Sequence, residues 1–132
     1  MREIRGRLRG AISGTPPKIQ AADSDPAMLE MAQANARAAG VRLAFRERRV
    51  QDLQSSPQRT FVAFNPPYGV RLETDPALYR EIAAAVTRWH GWRVAIFAGA
   101  PEYRRLISLR PDQVVPLKNG DLDCELLVYE VP

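Results

Sequence analysis

A short apolar run, Phe61-Val62-Ala63-Phe64, is followed at once by Asn65-Pro66-Pro67-Tyr68-Gly69. The run reads as a buried strand. The two prolines must end it, because neither can donate to a sheet ladder and each fixes its own φ. An amide side chain is thereby held at the carboxyl end of a strand, in a rigid turn, with an aromatic ring two residues past the first proline. In open α/β sheets, ligands bind outside that end of the strands. An amide carbonyl beside a backbone carbonyl with no ladder partner can accept two hydrogen bonds from one NH2 group, and the ring can stack on the flat system that carries it. The chemistry suggested is alkylation of an exocyclic amine on a base.

The rest of the chain supplies the sheet. Lys18 to Ala22 is a strand candidate. Asp25 caps a helix that Pro26 opens, with Met28, Leu29, Ala32, Asn35, Ala36 and Ala39 at helical spacing and Gly40 ending it. Strands follow at Val41 to Arg46 and Thr60 to Phe64. Asp75-Pro76 opens a second helix that reaches Trp89 and ends at His90-Gly91. Arg93 to Ala98 is a further strand, and Pro101 to Ile107 a short helix. Val114 to Leu117 and Glu125 to Val131 close the chain as a strand pair joined through Asn119-Gly120. Alternation of strand and helix implies a mainly parallel sheet covered on both faces, and the final pair adds a hairpin edge. Residues 1–17 alternate arginine with small or apolar residues up to the breaker Gly14-Thr15-Pro16-Pro17, and read as a basic tail or helix preceding a domain over 18–132.

At 132 residues the chain holds one core. Its apolar runs are too short to span a bilayer, and no apolar segment follows the basic start, so neither a membrane span nor a secretory signal is expected and a cytoplasmic setting fits. Cys124 and His90 are the sole cysteine and histidine, which rules out an internal disulfide and makes a zinc cluster a poor reading. A net charge of +4 suits a nucleic-acid partner or a merely solvated surface.

In a parallel sheet the loops after the strands share one edge. Asp23 follows the first strand and can accept from both hydroxyls of a ribose. Its plain alternative is to cap the helix, a role assigned here to Asp25. Asp52, in the next loop, can accept from an adenine amine or stand as a solvated aspartate. Asn65 occupies the third loop, where its plain alternative is a turn asparagine.

These residues carry a family resemblance. Asn65-Pro66-Pro67-Tyr68-Gly69 after an apolar strand resembles the amine-holding motif of methyltransferases that use S-adenosylmethionine. Ala22-Asp23-Ser24-Asp25-Pro26 with Ala34-Asn35-Ala36-Arg37-Ala38-Ala39-Gly40, then Asn65 to Leu72, then Lys118-Asn119-Gly120-Asp121-Leu122-Asp123-Cys124 are similar, in order and spacing, to the guanine-N2 methyltransferases of large-subunit ribosomal RNA. Val70 departs from the glutamate usual in that family. The resemblance implies a Rossmann-like class I methyltransferase sheet. It implies Asp23 and Ser24 at the ribose of S-adenosylmethionine and Asp52 at its adenine. Asn65 and the Pro66 carbonyl would hold the guanine amine in a turn stiffened by Pro67, with Tyr68 stacked on the base. Arg71, Lys118 and Asn119 would contact RNA or serve as solvated surface.

Family enzymes carry a glycine-rich loop, for the methionine part of the cofactor, before the stretch matched here. The strand leading into it lies between those ending at Asp23 and Asn65. Gly6, Gly10 and Gly14 are separated by arginines and follow no apolar strand. The expectation is therefore an incomplete domain, with low activity alone, whose sheet is completed by a missing N-terminal segment or a second polypeptide. Two alternatives stand beside it: a non-catalytic RNA-binding or accessory subunit that keeps the shape of the site, and a methyltransferase of adenine N6 or a glutamine amide. Trp89 and Trp92 read as core residues rather than a base platform, His90 as a helix-end residue rather than a base, and Cys124 as a small buried hydrophobe.

Overall fold

The computed structural model describes residues 18–67, 76–99 and 102–132. The tail or helix expected over residues 1–17 lies outside the described residues, as do Tyr68, Arg71 and Asp75. The chain divides into two compact units, one up to Glu47 and one from Arg48 to Pro132.

The first unit holds β1 (Gln20–Asp23), α1 (Pro26–Ala38) and β2 (Ala44–Glu47), with β1 and β2 parallel and Gln20 opposite Ala44. Local signals fix α1 at both ends. The Asp25 carboxylate accepts from the Ala27 N–H at 2.8 Å, and Pro26 takes the first helical position. At the other end Gly40 adopts φ 68°, the Gly40 N–H donates to Arg37 and the Val41 N–H donates to Ala36, a Schellman ending. The unit buries little. Leu29 and Ala36 are its buried apolar residues among those described, whereas Met31 is 58% exposed.

In the second unit β3 (Phe61–Phe64), β4 (Arg93–Ala98), β5 (Gln113–Asn119) and β6 (Leu122–Glu130) form a four-stranded sheet in the order β3-β4-β6-β5. β3 runs parallel to β4 with Phe64 opposite Ile96. β6 runs antiparallel to both β4 and β5. The expected closing hairpin is present, but its turn lies one residue later. Asn119 pairs with Leu122, leaving Gly120-Asp121 as the loop, and Gly120 takes φ 61° as the first residue of a two-residue turn requires. Both hairpin strands run past their apolar cores. Lys118 lies opposite Asp123 with their charged groups 2.8 Å apart, and such cross-strand pairs prolong the ladder.

The core lies between this sheet and α2 (Pro76–Arg88), with Tyr103 of α3 (Glu102–Leu106) at one margin. Ile82, Val86 and Trp89 pack with Val94 and Ile96 of β4 and Leu127 and Tyr129 of β6. Burial pushes the Tyr129 phenol up to about 12. Gly91, at φ 75°, turns the chain from α2 towards β4, and His90 Nδ1 lies 2.6 Å from the Pro132 carbonyl oxygen. No helix of the described residues is long and apolar enough to cross a membrane.

Trp89 and Trp92 are buried, as expected, and they also do something the sequence did not disclose. The Trp89 indole N–H donates to the Leu53 carbonyl at 2.8 Å and that of Trp92 to the Ser56 carbonyl at 3.2 Å. The segment leading into β3 is thus tied to the end of α2. Trp89→Phe should keep most of the packing and lose the tie, destabilising the chain by about 1–2 kcal/mol in urea unfolding and speeding amide exchange around Leu53. An unchanged midpoint would contradict this role.

Candidate functional site

Asn65 directly follows β3. Pro66 behind it is buried and Pro67 half-buried, while Asn65 itself is exposed. Among the described residues its side chain has no hydrogen-bond partner. Parallel pairing of β3 with β4 fixes the strand, the prolines fix the exit, and the amide stands at the carboxyl end where the sequence put it.

Asp52 closes a single 3₁₀ turn, Val50–Asp52, that packs against α2. Its carboxylate is gripped at both oxygens by Arg49: Nε to Oδ2 and Nη2 to Oδ1, each at 3.0 Å. Gln51 donates to Glu81 of α2 at 3.1 Å, and Arg88 donates to the Gln51 carbonyl at 3.4 Å. These hydrogen bonds fasten the turn from the solvent side as Trp89 fastens the next residue from the core. The Arg49 hydrogen bond, helped by its charge and opposed by desolvation, holds the Asp52 carboxyl below the usual carboxylate range. Both oxygens keep a further lone pair, so the pairing orients the acid without using it up. The Arg-x-x-Asp spacing of Arg49 and Asp52 was the available signal for this pair.

Asp23 ends β1, in the first unit. Its Oδ1 accepts from the Asp25 N–H at 2.9 Å, and Asp25 in turn caps α1. The division of labour between the two aspartates follows the sequence reading for Asp25. Asp23 is exposed, with its second oxygen unengaged among the described residues, and Ser24 beside it is exposed. Lys118 is not a free cation, since Asp123 holds it at 2.8 Å although both side chains are largely exposed. Asn119 lies within the hairpin ladder opposite Leu122. Tyr68 and Arg71 fall outside the described residues. A cavity of about 190 Å³, lined by Arg59, Thr60, Phe61, Gly91, Arg93 and Glu130, opens at the amino end of β3 and β4. It is at the opposite end of the strands from Asn65 and takes no part in this site.

Parallel strand pairs with a helix between the partners, and a closing antiparallel hairpin, are the elements of a class I methyltransferase. Residues 3–127 match the family described as the RMKL-like methyltransferase domain, and the chain belongs to that family. Solved structures agree. SMU.472, assigned as a methyltransferase and crystallised with SAH, is 25% identical over 99% of this chain, with a TM-score of 0.83. A protein of Clostridium difficile 630 described as a possible methylase is likewise 25% identical over 99% of the chain, with a TM-score of 0.82. A Listeria monocytogenes protein assigned as an N6-adenine-specific DNA methylase is 28% identical over 86% of the chain, with a TM-score of 0.68. The chain spans only 36%, 36% and 30% of the lengths of these three.

The methyl donor of this family is S-adenosylmethionine. The adenosine end of that donor, a ribose diol and an adenine amine, calls for acceptors with open lone pairs; Asp23 in the first unit keeps one oxygen unengaged among the described residues, and Asp52 in the second keeps lone pairs beside Arg49.

The Asp52 carboxyl should titrate below an ordinary aspartate in a carbon-13 NMR pH series, and Arg49→Gln should move it back up. Because the folded value is the lower one, the Arg49–Asp52 pair supports the fold above the ordinary carboxylate range and is lost as pH falls through the folded value. An Asp52 titration unaffected by Arg49→Gln would refute the pairing.

Proposed function

We propose that this chain carries the amine-holding turn and the adenosine acceptors of a methyltransferase that acts on guanine N2 in large-subunit ribosomal RNA. The observation that carries the reading is Asn65: an exposed amide without a hydrogen-bond partner among the described residues, fixed at the carboxyl end of β3 by two prolines, in a chain of the RMKL-like methyltransferase family.

S-adenosylmethionine, when bound, supplies a methyl group already activated by its sulfonium charge. No metal or covalent enzyme intermediate is required, and the protein's task is to position. Asp23 and Ser24 hold the ribose, and Asp52, steadied by Arg49, accepts from the adenine amine. The Asn65 and Pro66 carbonyls accept both hydrogens of the target amine and aim its nitrogen lone pair, while Pro67 stiffens the turn. Orientation of this kind contributes roughly 7–11 kcal/mol in well-aligned pairs. The base leaves its stack to reach the turn, and stacking on Tyr68 offsets part of that cost. Arg71 and Asn119 contact the RNA backbone. Lys118 does so once it exchanges Asp123 for a phosphate.

Residues 18–132 form part of a cytoplasmic catalytic domain. Its methionine-binding half is supplied by a preceding segment or by another polypeptide, and this chain alone turns over poorly. A second reading, transfer to adenine N6, is favoured by the likeness to the Listeria monocytogenes protein. Both use the same turn and differ in the base admitted to it.

The test is methyl transfer to unmodified large-subunit ribosomal RNA by a fusion of this chain to the preceding part of a relative's catalytic domain, with nucleosides identified by mass spectrometry. N2-methylguanosine should form and Asn65→Ala should abolish it, with circular dichroism unchanged. N6-methyladenosine instead would establish the second reading. Near-normal transfer by Asn65→Ala would reject the role of the turn, and cofactor binding without any transfer would mark an accessory subunit.

A further inference from the structure

Asp52 and α2 belong to the same unit. The 3₁₀ turn that carries Asp52 is three residues long. Its backbone is closed by the Asp52 N–H donating to Arg49 at 3.1 Å and the Leu53 N–H donating to Val50 at 3.2 Å. Val50 and Leu53 pack against the core, while Arg49 and Asp52 are exposed and Gln51 is half-buried. A 3₁₀ turn this short has little stiffness of its own, so contacts from outside it set where its polar side chains point.

α2 supplies those contacts from one face. Glu81 and Arg88 lie seven residues apart, two helical turns, and so share a face. Arg88 holds the Gln51 carbonyl at 3.4 Å. Glu81 meets two side chains with a single oxygen: its Oε2 accepts from Gln51 Nε2 at 3.1 Å and lies 4.0 Å from Arg49 Nη1. Arg49 gives its other two nitrogens, Nε and Nη2, to Asp52. One guanidinium is thus divided between two carboxylates. Because that group is rigid and planar, a carboxylate on the Nη1 side helps to fix the plane that Nε and Nη2 present to Asp52. Direct electrostatics runs the other way, since Glu81 and Asp52 are like charges and repel. The side chains of Arg49, Asp52 and Glu81 are 58%, 46% and 53% exposed, so water screens that repulsion and leaves the geometry as the larger effect.

We propose that Glu81 of α2 is a positioning residue for the adenine acceptor. It sets the plane of the Arg49 guanidinium, and through it the direction in which the Asp52 carboxylate offers its remaining lone pairs. The inference rests on the reading of Asp52 as the adenine acceptor. It extends the adenosine site to a helix residue that makes no hydrogen bond to Asp52 among the described residues.

The test compares Glu81→Ala with Gln51→Ala in the 132-residue chain. Alanine suits an exposed helix face and the lost pair is screened, so the urea midpoint of Glu81→Ala should stay where it is. In a carbon-13 NMR pH series Glu81→Ala should raise the Asp52 midpoint, because Arg49 loses its alignment, and the Arg49 Nε–H should exchange faster with solvent. Removal of the Glu81 charge alone would lower that midpoint, so the sign separates positioning from simple electrostatics. Gln51→Ala cuts a tie of the turn, keeps the Glu81–Arg49 pair and should leave the midpoint unmoved. In the fusion that tests methyl transfer, Glu81→Ala should raise the KM for S-adenosylmethionine about 2–5-fold, the scale of one exposed ion pair, with kcat unchanged. An Asp52 midpoint that stays or falls in Glu81→Ala, or that shifts as far in Gln51→Ala, would overturn the proposal. A KM raised by Asp52→Ala and unmoved by Glu81→Ala would also overturn it and leave the adenine reading standing. A KM unmoved by either variant would remove the adenine reading and the proposal together.

Discussion

The ladders that β4 makes on both sides organise residues 48–132. It pairs parallel with β3 and antiparallel with β6, and packs Val94 and Ile96 against α2. Because β4 is held on both sides and on one face, the register of β3 is fixed, and with it the point where Pro66 and Pro67 end the strand. The position of the Asn65 amide thus follows from the core packing beneath the strand, and the amide itself remains exposed and without a partner among the described residues. Rigid support beneath an open acceptor is what a group needs if it is to orient an amine without reorganising around it.

Asp52 obeys the same logic through different contacts. Its turn is fastened by an indole N–H from below and by Arg49, Glu81 and Arg88 from the surface. The bidentate Arg49 pair fixes the plane of the carboxylate and keeps it ionised, while leaving lone pairs for a ligand. Asp23 is steadied more simply, by the N–H of Asp25. In each case a local hydrogen bond fixes the orientation of an exposed carboxylate.

Strong local chemistry was legible in the sequence. Asp25 and Pro26 announced α1, Gly40 its end, and Phe61 to Phe64 the strand before the prolines. What was not legible depended on partners distant in the chain. Lys118 looked free until the hairpin placed Asp123 opposite it. The loop around Asp52 looked solvated because the indole donors of Trp89 and Trp92 lie 36 residues further on. The hairpin turn moved by one residue because Gly120 serves as the first residue of the loop and Asn119 pairs within the ladder. The ends of polar strands were hidden for a similar reason, since cross-strand charge pairs leave no apolar period to read.

The described strands form two sheets, β1-β2 in the first unit and β3-β4-β6-β5 in the second. The central proposal is that this chain holds the adenosine acceptors and the amine turn but only part of the cofactor site. Calorimetric titration of the 132-residue chain with S-adenosylmethionine tests it most directly. The account predicts no binding in the micromolar range; a micromolar dissociation constant for the chain alone would contradict it.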